Sequence, residues 1–216
     1  MLLQAFLAAT LATGPRLNGL PAKAPADVGM AADRLAAIDR IIRHGINAGA
    51  FPGATVVVGR EGYTVLSHGY GRLDWSPNGP VVTPDASLYD LASLTKVIAT
   101  TTAVMILYDE GKLALDVPVR QYLPEFSGGL KDKATVRQLL THHAGLPPGV
   151  VLWHRAANPS EAKQRELQVP LQCVPGACYD YSDVGADILG WIVERVTGEP
   201  LDQFVAQRVF EPLRVS

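Results

Sequence analysis

Apolar residues recur at helical spacing over residues 30–48, with Leu35, Ile38, Ile42 and Ile46 on one side and Arg34, Asp39, Arg40 and Arg43 elsewhere. Asn47-Ala48-Gly49 ends that run. The period then changes. Residues 54–59 are valine-rich, residues 63–67 form a second short run, and Glu61-Gly62 lies between them, which predicts a β-hairpin. Gly69, Gly71 and Gly79, with Pro77 and Pro80, mark a loop reaching Ser87. From Ser93 onward the spacing is helical, predicting helices over 93–110, 136–142, 161–167, 183–196 and 201–210. Ile188, Leu189, Ile192 and Val193 form the apolar side of the fourth, and Gly198 closes it. Residues 113–126 carry Pro118 and Pro124 and read as an extended connection. Strands early and helices afterwards predict an α+β fold. Two strands are marginal alone, so the sheet is expected to be incomplete in this chain.

Before residue 30 the pattern carries no such periodicity. Residues 2–12 are almost wholly apolar, too short to span a bilayer, and fit the core of a secretory signal, although no Lys or Arg precedes Arg16. Residues 14–29 are rich in Gly, Pro and Ala and read as a linker. Residues 1–29 are therefore expected to be a signal segment and linker, and the protein exported to the periplasm or medium, with a cytoplasmic location as the alternative.

Composition narrows the function classes. With 216 residues, 48% hydrophobic and 19% charged, the chain is long enough for a packed core in one large domain or two small ones. A net charge of −2 and the lack of any Lys/Arg-rich run give no reason to expect nucleic acid. The five histidines show neither H-E-x-x-H nor paired zinc spacing, so no metal and no cofactor is expected. No G-x-S-x-G elbow occurs, which argues against an α/β-hydrolase. Cys173 and Cys178 flank a Pro175-Gly176 turn, as a small disulfide loop or as two reduced thiols.

The candidate chemistry starts at Ser93-Leu94-Thr95-Lys96, a serine entering a helix with a lysine one turn later. A hydroxyl becomes a useful nucleophile when a neighbouring base takes its proton. A second copy, Ser160-Glu161-Ala162-Lys163, follows Asn158-Pro159 in a polar stretch and reads as a solvated helix start. Ser93 is set apart by the expectation that its helix is buried, and by a partner further along. That partner is Tyr181, in Tyr179-Asp180-Tyr181-Ser182-Asp183 directly ahead of an amphipathic helix. A tyrosine beside a lysine can titrate low enough to act as a base.

These stretches resemble the serine β-lactamase family in its class C and esterase branch, with the related D,D-peptidases and penicillin-binding proteins. Ser93-Leu94-Thr95-Lys96 is similar to the family's first motif and Tyr181-Ser182-Asp183 to its Y-x-N second motif, with Asp where Asn is usual. Phe51-Pro52-Gly53-Ala54, the segment from Leu139 to Leu146, Pro175-Gly176 and Phe210-Glu211-Pro212-Leu213 extend the likeness over residues 30–216. The resemblance implies a β-lactamase-like fold, an antiparallel sheet flanked by helices plus an all-helical region. Residues 30–88 would be the first part of the α/β region and 89–216 the mainly helical part. It implies a serine hydrolase acting through an acyl-enzyme on a small ester, β-lactam or peptide. Ser93 would be the nucleophile, Lys96 and Tyr181 would shuttle its proton, and Asp183 would stand at a substrate-binding position. As a carboxylate, Asp183 would instead pair with Lys96 and keep it charged, leaving Tyr181 as the base. The third motif, a cation or His followed by Thr/Ser-Gly, is not found, and Val196-Thr197-Gly198 reads as a helix end. In the family that motif and one oxyanion donor follow the helical region, so a truncated chain is expected. A ligand- or partner-binding member without turnover is the alternative.

Overall fold

The computed structural model describes residues 16, 17, 19–151 and 156–215. The expected signal core at residues 2–12 and His154 lie outside the described residues. The chain forms two compact units, Met1–Asp90 and Leu91–Ser216.

In the first unit, α1 (Ala32–Asn47) packs against β4 (Tyr63–Gly71), the partner of β3 (Gly53–Arg60). The hairpin is antiparallel, pairing Ala54 with Tyr70, Val56 with His68 and Val58 with Leu66, and the register slips between Val58 and Gly59. Glu61 at φ 54° and Gly62 at φ 78° make the tight turn, since both central positions need the left-handed region there. A short pair before them, β1 (Arg16–Leu17) and β2 (Leu20–Pro21), lies beside β4. The strands run past the expected 54–59 and 63–67. Gly69 and Gly71 belong to β4, and a Cβ at Gly69 would sit 2.3 Å from the Val82 carbonyl oxygen. Close approach of backbone, rather than a turn, is what that glycine serves.

The second unit is built around α5 (Asp183–Thr197), which touches α2 (Thr102–Asp109), α3 (Val136–Leu140) and α6 (Leu201–Val205). Leu107, Leu123, Phe126, Leu139, Leu146, Ile188 and Ile192 are fully buried in its core. Each such side chain contributes roughly 1.5–3 kcal/mol of transfer free energy. The connection over 113–126 is less extended than its prolines suggest. It holds a 3₁₀ turn, Val119–Gln121, and sends Val119, Leu123 and Phe126 into the core. α4 (Pro159–Gln168) is capped by Asn158, whose side chain accepts from the Glu161 N–H at 2.9 Å. The last helix is broken into α6, a π turn at Ala206–Phe210 and α7 (Glu211–Leu213). No helix among the described residues is long and apolar enough to cross a membrane.

The expectation of a buried helix over 93–110 needs correction. Its core face is Ala103, Val104 and Leu107, while Leu94, Val97, Met105 and Tyr108 are exposed. Ser93 itself is exposed. The apolar run is wide enough for two faces, and among the described residues the second unit's own core covers the face of Ala103, Val104 and Leu107.

Candidate active site

Ser93 sits where the chain turns sharply into the helix. Ala92 precedes it at φ 43°, in the left-handed region that non-glycine residues rarely occupy. The following N–H groups of Leu94, Thr95 and Lys96 bond three residues back, at 2.9, 3.0 and 3.2 Å. A π turn, Lys96–Thr101, comes next, and the Thr102 hydroxyl donates to the Val97 carbonyl at 3.0 Å. Such single-turn π segments recur at functional sites because the inserted residue rotates one helix face against the next. Here the tight entry puts Lys96 one turn beyond Ser93, and its Nζ donates to Ser93 Oγ at 3.1 Å.

Tyr181 arrives from a segment tied down at several points. The Cys173–Cys178 disulfide closes the loop before it, so of the two sequence alternatives the structure holds the bonded one. Gly176 N–H donates to the His143 carbonyl at 2.7 Å and Asp180 N–H to the His142 carbonyl at 2.9 Å. Ser182 caps α5: its Oγ accepts from Gly185 N–H at 3.1 Å and donates to the Pro147 carbonyl at 2.6 Å. Asp183 N–H donates to the Pro148 carbonyl at 2.7 Å. Its carboxylate then reaches Lys96, Oδ1 to Nζ, at 2.7 Å. Lys96 Nζ also stands 5.3 Å from the centroid of the Tyr181 ring.

These contacts set the protonation states. Burial pulls the Lys96 ammonium down, but hydrogen bonds to Asp183 and Tyr181 outweigh it and hold the lysine above its ordinary value. Hydrogen bonds from Ser93 and Lys96 hold the Tyr181 phenol below its ordinary value. A charged lysine and a more acidic tyrosine therefore face the same serine hydroxyl. Burial, with the charge of Lys96, keeps His142 below the usual imidazole value, hence neutral at pH 7.

The structure brings Ser93, Lys96, Tyr181 and Asp183 together within the second unit. It places the other S-x-x-K elsewhere, with Ser160 in the first turn of α4 and Lys163 over the Trp191 ring at 5.1 Å. Among the described residues no three His, Cys, Asp or Glu side chains gather as a metal site. Sequence reasoning passed over His142, reading it only as a helix end. It does end α3: His142 N–H bonds the Leu139 carbonyl at 3.2 Å and His143 N–H the Gln138 carbonyl at 2.8 Å, a Schellman pair. The left-handed position, φ 57°, carries His where Gly is usual. That costs about 1–2 kcal/mol, and a costly residue at a helix stop is the one signal that could have marked it. The His142 ring lies 4.6 Å from the Tyr181 ring, and its Nδ1 accepts from Ser182 N–H at 3.1 Å.

Fold and site together define a relative of the serine β-lactamases. Residues 38–216 match the Beta-lactamase family, and the chain belongs to that family. An N-acetylmuramyl-L-alanine amidase of Bacillus subtilis (strain 168) is 34% identical over 200 residues, 84% of this chain and 45% of the amidase. Among solved structures, the hydrolase EstCE1, with promiscuous acyltransferase activity, matches at TM-score 0.68 and 26% identity, covering 83% of this chain and 51% of EstCE1. A class C β-lactamase shares the fold at TM-score 0.69 and 24% identity, over 82% of this chain and 48% of the enzyme. The fold is thus α+β and β-lactamase-like, its sheet represented here by the β3–β4 hairpin and the short strands beside it. The chain spans about half the length of the curated relatives it matches, 45% and 49% of the first two.

Proposed function

We propose that this chain carries the nucleophile and proton-transfer groups of a serine hydrolase that forms an acyl-enzyme with an amide, β-lactam or ester carbonyl. The observation that carries the reading is the convergence of Lys96 Nζ on Ser93 Oγ at 3.1 Å and on Asp183 Oδ1 at 2.7 Å, beside Tyr181. The family membership and the amidase relative support it. In this reading Tyr181, as phenolate, takes the Ser93 proton while Oγ bonds to the carbonyl carbon and the carbonyl electrons move onto oxygen. The Ser93 backbone N–H donates to that oxygen. Collapse of the tetrahedral species breaks the bond to the leaving group, which takes the proton from Tyr181. Water then repeats the sequence in reverse and frees the acid. Lys96 stays charged throughout, stabilising phenolate and oxyanion, with Asp183 holding it in place. The substrate is a small molecule or short peptide, reached without nucleic acid, and the site is exported with the chain. Residues 30–216 act as one β-lactamase-like domain.

A p-nitrophenyl ester tests this. A burst of one p-nitrophenolate per chain, absent in Ser93→Ala, is expected. An equal burst in Ser93→Ala, or none in either protein, overturns the reading.

A further inference from the structure

His142, like Ala92, is a strained point of the site, and its ring does two things that a helix stop does not require. Nδ1 accepts the Ser182 N–H at 3.1 Å, immediately after Tyr181 in the chain. The ring also packs on the Tyr181 ring, centroids 4.6 Å apart and planes at 41°. Its carbonyl takes the Asp180 N–H at 2.9 Å, immediately before Tyr181. One residue therefore grips the backbone on both sides of Tyr181 and the ring between. We propose that His142 is the positioning residue of this site, fixing Tyr181 against Ser93 and Lys96, and that its neutral imidazole is the form that does so. The inference rests on the serine-hydrolase reading and names a further residue for it.

The hydrogen bond fixes the tautomer. Nδ1 accepts, so the ring proton is on Nε2. A second proton must go to Nδ1, which removes the acceptor for Ser182 N–H and places a cation against Tyr181. The charged and titratable groups facing the ring are Lys96 from the nucleophile turn, Asp183 from α5, His143 next along, and Tyr179 and Tyr181. Burial and Lys96 oppose protonation more than Asp183 favours it, so the grip should loosen on the acid side of the ordinary imidazole value.

Two variants separate positioning from helix termination. Gly suits the left-handed backbone better than His, so His142→Gly should keep or raise the melting temperature. Asn tolerates the same backbone and its Oδ1 can stand in for Nδ1 without titrating. Nuclear magnetic resonance on the full chain should show His142 as the Nε2–H tautomer and the Ser182 amide shift following the His142 titration. The Tyr181 phenol should titrate higher in His142→Gly than in wild type and near wild type in His142→Asn. Fluorophosphonate labelling of Ser93 should be at least about tenfold slower in His142→Gly, as for a misplaced catalytic group. Below the limb set by protonation of Tyr181 itself, wild type should show a further loss of labelling with the His142 midpoint, and His142→Asn should lack that further loss. A Ser182 amide indifferent to His142, or a Tyr181 midpoint unchanged in His142→Gly, overturns the proposal. If Ser93 takes no label even in wild type, the hydrolase reading falls, and the Tyr181 titration alone still decides whether His142 positions it.

Discussion

In the proposed reading, Asp183 determines which base the site uses. Its 2.7 Å contact keeps Lys96 protonated, and a protonated lysine can stabilise charge but cannot accept the serine proton. Tyr181→Phe should therefore slow acylation by about 100-fold or more, read as the rate of Ser93 labelling. Asp183→Asn should lower the Lys96 titration point, as seen by chemical shift, while labelling persists. Wild-type rates in Tyr181→Phe would return the base role to Lys96. The sequence named all four residues that the structure brings together: Ser93 and Lys96 by their spacing of one turn, Tyr181 by its place ahead of an amphipathic helix, and Asp183 by the resemblance to the Y-x-N motif. His142 was passed over. Its importance lies in a φ of 57° and in a contact spanning 40 positions along the chain, neither of which a local pattern carries.

At the scale of elements, periodicity located the hairpin and the longer helices, with ends moved by a few residues, but not the β1–β2 pair, the 3₁₀ turn at Val119–Gln121 or the break of the last helix after Val205. It could not say which face of the nucleophile helix is covered, since Leu94 and Met105 look as apolar as Val104 and Leu107. Nor could it choose between disulfide and thiols, which turns on two sulfur atoms meeting. The bond closes a loop only a few residues long, joining positions five apart. A loop that short constrains the unfolded chain weakly, so replacing both cysteines by Ser should cost about 2 kcal/mol or less. Chemical denaturation checks this, and a larger loss would mean the disulfide supports the Tyr181 segment well beyond its own loop.

At the scale of the whole molecule, Glu166 and its neighbour Asp187 are, among the described residues, carboxyls poorly suited to alkaline pH, since burial raises both. Glu166 is buried near the end of α4, and among the described residues its Oε2 has no hydrogen-bond partner. Burial, reinforced by Asp187, pushes its carboxyl up to about 8. A raised folded pKa means the folded chain holds a proton that the unfolded chain releases near 4.5. The stability it contributes is complete below that value and is lost as pH rises through about 8. The melting temperature should decline from pH 6 to pH 9, and Glu166→Gln should flatten that decline; an equal slope in the variant would refute the assignment. The central claim, that Ser93 is the nucleophile, is tested most directly by mapping a fluorophosphonate adduct by mass spectrometry. One adduct per chain on Ser93, lost in Ser93→Ala, is the predicted result. An adduct on Ser160, or undiminished labelling in Ser93→Ala, would contradict it.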